Sequence, residues 1–549
     1  MLSRRAAWAL GVPVALVLAG YVLWPNLATF RLGADAGVLA DLFGRGRAAG
    51  TRALVNSVGV SVGTVLGGGV VGVSLAWALW RYDVPLRRTL GAVAALPLAL
   101  PPLVGVLAFL FLYGESGMLP RGLQAAFGLE AVPFAFGGVA AVLAVHVYVF
   151  YVYFYLFAAA ALRDLDASLL DASADLGASG WTTFRRVVLP LLRPALVGAG
   201  LLVFMLSMAS FTAPLLFADG EPFLTTQIYQ FKQNGALDRA ASVSLVLTAI
   251  CLLFLAGTEA GRTTVRGAAK GVGRRPGPIR SGGARALAGV GVGLFLVVIL
   301  LPVGTVVLLS FVAEGTWTTQ ILPDTFTLDN YTALATEADV LAPITNSLWM
   351  AALATALNVV FGVATALVIV KGRVPGRGVL RALSLLPFAV PGTVLALALI
   401  VAFDEPSALA GGAVLIGTVW LLPLAYFVRH VPLVVRAAQA SLESFDDRLG
   451  EASADLGASG WTTFRRVVLP AIGPGVIAGA LLTFVTALGE FVASIMLYVY
   501  ANRPIAVEIF SQLRIYEFGQ AAAYSVLLMA LVAASVAVSR AIGGRGVGG

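Results

Sequence analysis

"ASADLGASGWTTFRRVVLP" occupies residues 172–190 of this chain and appears again, letter for letter, at residues 452–470. Elsewhere the two halves of the chain show only loose similarity. A long repeat within one chain indicates that a structural unit has been duplicated. The composition of the chain around the two copies predicts what kind of unit this is.

The composition is typical of a membrane protein. Of the 549 residues, 59% are hydrophobic and only 12% are charged, which lies outside the usual mixture of soluble domains. A helix needs about 18 to 20 apolar residues to cross a bilayer. Such runs occur at residues 7–24, 54–80, 90–112, 135–162, 194–217, 240–258, 286–311, 344–370, 379–403, 411–435, 472–499 and 519–539. Helices bond all their own backbone groups, and the sequence lacks the short alternating segments of a barrel, so we predict an all-α polytopic membrane protein with about twelve spans.

The duplication extends beyond the quoted segment. Asn56-Ser57 matches Asn346-Ser347, and "LPLALPP" at 96–102 matches "LPFAVPG" at 386–392, both 290 residues apart. Six spans per half is an even number, so both halves enter the membrane in the same orientation, as two parallel six-helix repeats. The predicted domains are a first half at 1–258 (core 52–258), a cytoplasmic linker at 259–285 and a second half at 286–549 (core 343–540).

Charge predicts the topology. The net charge is +8, but Arg and Lys lie in short loops between spans instead of forming one basic face, which argues against nucleic-acid binding. Residues 312–342 contain acidic residues and no Arg or Lys. The positive-inside rule places that segment outside, and therefore places both termini and both repeated segments in the cytoplasm of a multi-pass cell-membrane protein. We interpret the first apolar run as an uncleaved span, because residues 280–311 repeat its arrangement inside the chain.

Each repeated segment predicts two short helices joined by a turn. An acidic residue begins the first helix, a glycine ends it in the left-handed conformation, a serine caps the second helix and a proline ends it. These residues are Asp171, Gly177, Ser179 and Pro190 in the first copy and Glu451, Gly457, Ser459 and Pro470 in the second. A connector lying on lipid head groups is one interpretation, and local gene conversion is another origin of the identity. Docking on one two-fold symmetric protein explains why both copies carry the same letters.

The pattern resembles the "EAA" loop of permease subunits of type I, binding-protein-dependent ATP-binding-cassette importers, and the resemblance covers nearly the whole chain as two fused permease domains. In that family the loop forms a coupling helix that contacts the nucleotide-binding subunit. The matching positions are Asp171, Ala172, Ser173, Gly177, Leu189 and Pro190, and Glu451, Ala452, Ser453, Gly457, Leu469 and Pro470. This chain departs from the pattern in having Asp at the first position of copy one and Ser at the second small position of both.

The resemblance implies two partners, a dimer of ATPase subunits inside and a substrate-binding protein outside. A phosphate-binding loop needs a lysine followed by Ser or Thr, whereas Lys232, Lys270 and Lys371 precede Gln, Gly and Gly. We therefore expect no catalytic residue and no cofactor in this chain, with ATP and Mg bound by the partner ATPase.

Polar residues within the spans are candidates for the translocation path, because lipid disfavours them. They are Ser207, Ser210 and Thr212 in the fifth span and Thr483, Thr486 and Glu490 in the eleventh. The alternatives are hydroxyls bonded to their own helix and a carboxylate paired with a neighbouring helix. His146 and His430 are isolated, so we expect structural roles and no metal site. Prolines 97, 101, 387 and 391 predict kinks in the third and ninth spans.

The second-half stretch from Leu488 to Leu528 is similar to fused permeases for ferric iron, which implies iron as the solute. Thiamine, phosphonate, sulfate and polyamine permeases are related alternatives. An ion-coupled secondary transporter of parallel repeats would show the same hydropathy, but apart from Glu490 we identify little deep charge to serve it. Clustered His, Cys or paired carboxylates that would indicate a membrane enzyme are missing from the sequence.

Overall fold

The computed structural model describes residues 4–44, 49–265, 282–317, 320–372 and 374–544. Its regular elements over these ranges are helices, joined by loops with two isolated β-bridges. The predicted all-α fold is confirmed.

The helices of the first half are α1 (Arg4–Val17), α2 (Trp24–Gly33), α3 (Ala36–Phe43), α4 (Ala49–Arg81), α5 (Arg87–Ala94), α6 (Leu96–Ala99), α7 (Pro102–Tyr113), α8 (Met118–Phe127), α9 (Gly138–Arg163), α10 (Ala167–Asp175), α11 (Gly180–Thr183), α12 (Leu189–Met208), α13 (Thr212–Phe217), α14 (Leu224–Gln233) and α15 (Leu237–Val265). Those of the second half are α16 (Gly282–Leu309), α17 (Asp329–Thr336), α18 (Ala338–Val370), α19 (Arg377–Ala389), α20 (Gly392–Phe403), α21 (Leu421–Glu443), α22 (Asp447–Asp455), α23 (Gly460–Thr463), α24 (Leu469–Leu488), α25 (Val492–Leu497), α26 (Ile505–Arg514) and α27 (Phe518–Gly544). Single π-helical turns at Leu18–Leu23, Phe184–Val188 and Phe464–Val468 join α1 to α2, α11 to α12 and α23 to α24.

The number of membrane helices agrees with the prediction of about twelve. Over the described residues, 11 helices are long and apolar enough to span a bilayer, and α19 with α20 forms a further candidate bent by 111°. Two predicted spans begin later than expected. The third begins at Pro102 after two short helices, and the tenth begins at Leu421 because the residues before it include three glycines with positive φ.

The predicted linker falls largely on residues 266–281, which lie outside the described residues. On either side of it, α15 continues to Val265 and α16 begins at Gly282, so helix extends into both ends of the predicted 259–285 linker.

The first span of each half packs against the opposite half. The Tyr21 hydroxyl donates to the Leu409 carbonyl oxygen at 2.5 Å, and a methyl group on Gly20 would lie 2.8 Å from the Leu409 side chain. In the reverse direction, the Tyr148 hydroxyl of the first half donates to the carbonyl oxygen of Ile299 on α16 at 2.9 Å. The two halves are therefore interlocked by exchanged helices.

Within each half, small residues bring the long second helix close to the fourth. A methyl group on Gly72 of α4 would lie 2.5 Å from the Tyr151 carbonyl oxygen of α9. A methyl group on Gly362 of α18 would lie 2.8 Å from the Val434 side chain of α21. Such close approach is typical of membrane helix pairs. It fixes the positions of α9 and α21, which carry His146 and Arg429.

The repeated Asn-Ser pair holds the N-terminal part of this helix to the hairpin that follows the fifth span of the same half. The Asn56 amide donates to the Pro222 carbonyl oxygen at 3.0 Å, and the Ser57 hydroxyl accepts from the Leu224 N–H at 3.0 Å. In the second half the Asn346 amide donates to Ala501 and Arg503 carbonyl oxygens, at 3.1 and 3.2 Å, and Ser347 accepts from the N–H of Ile505 at 2.8 Å. Each serine thereby caps the next helix, α14 or α26.

Candidate coupling elbows and transport path

The two repeated segments form matching elbows, the first elbow at residues 167–188 and the second elbow at residues 447–468. Each begins with an aspartate cap: Asp166 accepts from the Ser168 N–H at 3.0 Å, and Asp446 accepts from the Arg448 N–H at 3.1 Å. The prediction that Asp171 and Glu451 begin the helix is wrong, because the caps lie five residues earlier. Both motif carboxylates instead lie on the exposed face of the helix.

The turn of each elbow has the predicted conformation. Gly177 and Gly457 have φ of +74° and +80°, a conformation that L-residues with a Cβ rarely adopt. The next N–H, of Ala178 or Ala458, bonds back to the carbonyl oxygen five residues earlier at 3.1 Å in both copies. This closes a Schellman-type turn that ends the first helix. Ser179 and Ser459 then cap the second helix by accepting from the N–H three residues on, at 3.2 Å.

The serines that depart from the family pattern have a physical role. The Ser173 hydroxyl bonds the Thr183 hydroxyl at 2.8 Å, and Ser453 bonds Thr463 at 3.0 Å. Each bond ties the first helix of the elbow to the second. The angle of the elbow is therefore fixed by side chains that lie inside it.

The prediction that Pro190 and Pro470 end the second helix is wrong. Helix continues through them, so that Gly180–Met208 and Gly460–Leu488 are single membrane spans. The preceding π-helical turn shifts the hydrogen-bond register, and each proline then falls in the first turn of the following α-helix, where its missing N–H is tolerated. Leu189 and Leu469, just before the prolines, are partly exposed. Each elbow is thus continuous with a membrane helix.

Both elbows present the same apolar surface. Leu176 and Leu456 are each 88% exposed, and Trp181 and Trp461 are each 69% exposed. Single exposed apolar residues are ordinary, but here a leucine and a tryptophan are exposed at equivalent positions of both elbows. Ala172 and Ala452 also lie on the exposed face of their helices.

In the first half, the candidate path residues surround a break between α12 and α13. The His146 ring nitrogens bond the hydroxyls of Ser207 at 2.9 Å and Ser210 at 2.8 Å. The Thr225 hydroxyl donates to the Ser210 carbonyl oxygen at 2.7 Å, and Thr212 begins α13 as a buried residue. His146, which the sequence suggested as structural, bridges two of the candidates.

In the second half, the equivalent break between α24 and α25 holds an ion pair. Glu490 is only 8% exposed, accepts from the Arg429 guanidinium at 2.7 Å and caps α25 by accepting from the Ala493 N–H at 3.0 Å. The expectation of little other deep charge is therefore wrong, since Arg429 lies inside the span 421–443. The signal in the sequence was the position of Arg429, the ninth residue of this apolar helix.

The remaining polar candidates differ in their contacts. The Thr486 hydroxyl bonds the Leu482 carbonyl oxygen of its own helix at 2.8 Å, as the packing alternative predicts. Thr483 is fully buried, and its hydroxyl has no hydrogen-bond partner among the residues that the structure describes. His430 bonds the Tyr426 carbonyl oxygen of its own helix at 2.8 Å. No cluster of three metal-ligating side chains occurs within the described ranges.

The helix breaks of the two halves meet. Breaks occur at Pro101 and Pro391, while Pro97 is the second residue of α6 and Pro387 lies within α19. A methyl group on Gly489 would lie 3.4 Å from Pro101 of the opposite half, and the rings of Phe211 and Phe491 approach within 6.1 Å. Irregular backbone at membrane depth is tolerated where protein buries it or a path is lined by it.

This arrangement has known relatives. A family model described as "Binding-protein-dependent transport system inner membrane component" matches residues 59–258 and again residues 358–545. The chain belongs to this permease family. "Probable ABC transporter permease protein y4fN" of Sinorhizobium fredii is 31% identical to the permease, over 98% of this chain and 96% of its own.

Two further relatives carry substrate names. "Ferric transport system permease protein FbpB" of Actinobacillus pleuropneumoniae is 28% identical over 84% of this chain and 67% of its own. "Sulfate transport system permease protein CysT" of Escherichia coli is 33% identical over 36% of this chain and 75% of its own. The permease is therefore a multi-pass transport subunit of the ATP-binding-cassette importer class, with two fused permease domains.

Proposed function

We propose that the permease forms the membrane path of an importer that passes ferric iron from an extracytoplasmic binding protein to the cytoplasm, driven by a separate ATPase dimer. The pair of matching elbows, identical over residues 172–188 and 452–468, is the observation that carries this proposal. Both termini and both elbows lie on the cytoplasmic side in this proposal. ATP and Mg bind the ATPase, and this chain supplies neither a cofactor site nor a catalytic residue.

Each elbow docks on one ATPase subunit. The matched turns, the matched serine–threonine bonds and the exposed Leu176, Leu456, Trp181 and Trp461 support a partner with two equivalent grooves. The elbow is continuous with helix Gly180–Met208, which ends at the Ser207 and Ser210 cluster. Movement of the elbow therefore acts directly on the helix break, and the second elbow acts on Glu490 in the same way.

Alternating access follows from this coupling. A loaded binding protein docks outside, ATP closes the ATPase dimer and moves both elbows, and the breaks separate to open the path outward. Hydrolysis returns the breaks to contact and opens the path inward. Because interfaces of this kind have discrete arrangements, small displacements of the elbows are sufficient.

Ferric iron is favoured over the alternatives by the extent of similarity. Three relatives named for ferric transport match 81–87% of this chain, whereas the sulfate and molybdenum relatives match 35–36%. The Glu490 carboxylate is paired with Arg429, and the hydroxyls of Ser207 and Ser210 bond His146, so the choice of ferric iron rests on the similarity and not on these side chains. Thiamine, phosphonate, sulfate and polyamine are the competing solutes.

Reconstitution of the permease with its ATPase and binding protein tests the proposal. We expect uptake of radiolabelled ferric iron that requires ATP and the binding protein, and ATPase activity stimulated by the iron-loaded binding protein. Stimulation by a sulfate-loaded or thiamine-loaded protein instead would reassign the solute. Uptake without the ATPase that collapses with the proton gradient would show an ion-coupled transporter.

A further inference from the structure

A long groove lies on the lipid side of the first half. It runs between α4, α12 and α15 and encloses about 730 Å³. Its walls are apolar and include Val62, Leu66, Leu196, Val197 and Leu201. The stacked rings of Phe204 and Phe254, 3.8 Å apart, close its deep end.

The groove faces lipid and not the interface between the halves. Val55, Val62, Leu66 and Val70 are 45–70% exposed and follow one another at helical spacing along α4, which defines a lipid-facing stripe. Two of these residues line the groove. On the side away from the elbow, α3 packs against both α4 and α15 and bridges the gap between them. In this arrangement α3 lies between α4 and α15 at one end of the groove, and the exposed stripe of α4 borders its open side.

The elbow end of the groove is positively charged. Arg185 and Arg193 line it there, both exposed. Neither forms an ion pair with any residue that the structure describes. Two guanidinium groups suit a phosphodiester, since each can donate two parallel hydrogen bonds to its oxygens.

We propose that this groove is a binding site for one anionic phospholipid. The headgroup phosphate lies between Arg185 and Arg193, and an acyl chain lies along α12 toward Phe204. Arg185 and Phe204 are separated by about 28 Å of helix, at 1.5 Å per residue. That is longer than the ~15 Å of hydrocarbon in one leaflet, so a complete acyl chain fits.

The second half differs at three equivalent positions. Residues equivalent to Arg193, Val62 and Leu66, at offsets of 280 and 290, are Gly473, Ala352 and Ala356. One arginine is therefore missing and the side chains on α18 are smaller, whereas Arg465 remains at the place of Arg185 and aliphatic residues remain at the places of Leu196, Val197 and Leu201. The proposal is thus for one lipid per permease, bound to the first half.

Native mass spectrometry of the delipidated full-length permease, titrated with phosphatidylglycerol or phosphatidylcholine of equal chain length, tests this proposal. We expect one phosphatidylglycerol to remain bound at collision energies that remove phosphatidylcholine. Arg193→Gln should weaken this binding about fivefold, the effect of one arginine near an anionic lipid. Arg186→Gln is the matched control, because Arg186 is an exposed arginine close to Arg185 along the chain but does not line the groove.

The reciprocal variant Gly473→Arg keeps the proposal testable if Arg193→Gln misfolds, and it should raise the number of tightly bound phosphatidylglycerols. Equal retention of both lipids, or equal loss in Arg193→Gln and Arg186→Gln, would overturn the proposal. Binding of glycerol 1-phosphate as tight as that of the lipid would also overturn it, because the acyl chain would then contribute nothing.

Discussion

The two halves of the permease have equivalent helix breaks, but different side chains form the bonds at each break. At the break after the fifth span, the hydroxyls of Ser207 and Ser210 bond the two ring nitrogens of His146. At the equivalent break, Glu490 occupies the place of Ser210 and pairs with Arg429. The elbows keep identical residues at 172–188 and 452–468. A symmetric partner requires matched elbows, whereas a single solute passing between the halves meets two walls that can differ.

The difference extends to the outer hairpins. Arg503 and Glu508 form an ion pair at 2.6 Å, and Glu508 is only 3% exposed. The residues 281 positions earlier are Pro222 and Gln227. At these two equivalent places the second half has an ion pair and the first half has uncharged residues, so the duplication preserved the backbone while the polar groups diverged.

The largest expected effect tests whether charge is required at the second break. Glu490→Ser installs the first-half residue but leaves the partly buried Arg429, whose side chain is 26% exposed, without its partner, which should lower the free energy of unfolding by about 1–3 kcal/mol. The double variant Arg429→Val with Glu490→Ser installs both first-half residues, Val149 and Ser210. We expect it to recover more than half of the loss in thermal unfolding of the purified permease.

A double variant no more stable than the single would show that the two breaks are not interchangeable. Glu490→Gln separates structure from transport, because the amide keeps the size of the side chain. Lower iron uptake at unchanged thermal stability would support a place in the path. Unchanged uptake with lower stability would support a structural ion pair.

The second test addresses the matched elbows. Gly177→Val and Gly457→Val place a β-branched residue at φ of +74° and +80°, which should cost about 1–2 kcal/mol of local strain at each turn. We expect either variant to lose iron uptake while the assembled complex still hydrolyses ATP. Gly180→Ala and Gly460→Ala are matched controls, because these glycines have open space and ordinary φ. Full uptake in the valine variants would argue against docking at the elbows.

A smaller effect tests the capping serines, which the two halves share. Ser57→Ala and Ser347→Ala each remove the cap of a following helix, which should cost about 1 kcal/mol. Because the two bonds are nearly equal, at 3.0 and 2.8 Å, the two losses in thermal stability should be equal as well. Ser61→Ala serves as the control, since its hydroxyl bonds only the Ser57 carbonyl oxygen of its own helix. Clearly unequal losses would mean that the hairpins are held by other contacts.

The smallest effect concerns pH and an outer carboxyl of the second half. A hydrogen bond with Glu314, and secondly burial, raises the pKa of Glu517 from 4.5 to about 7. The folded state therefore binds this proton more tightly than the unfolded state, so stability falls as pH rises from about 4.5 to about 7 and is level outside that window. Glu517→Gln should remove this slope in unfolding temperature. An unchanged slope would place its origin elsewhere.

Much of this architecture could be predicted from local sequence. The span count follows from hydropathy, and the left-handed turns follow from Gly177 and Gly457, because these signals lie within a few residues. The packing of each first span on the opposite half could not be predicted. Tyr21 and Leu409 are 388 residues apart, and no local pattern in the sequence connects them. The 111° bend at Pro391 exceeded the expected kink because the chain there adopts extended dihedrals instead of continuing as helix. The partner of Glu490 was missed for the same reason: Arg429 is brought beside it only by tertiary packing.

The exchanged first helix has a consequence for biosynthesis. At about 5–20 residues per second, the ribosome needs roughly 20–80 seconds after Tyr21 to make Leu409, its packing partner. During that interval the first span can pack only on its own half, where α2 lies against α15 and the Ser242 hydroxyl donates to the Gly33 carbonyl oxygen at 3.0 Å. Two of its polar side chains bond their own helix, since the Asn26 amide donates to the Val22 carbonyl oxygen at 2.7 Å and Thr29 donates to Pro25 at 2.9 Å. The contact with Leu409 therefore forms only after the whole first half has been synthesised.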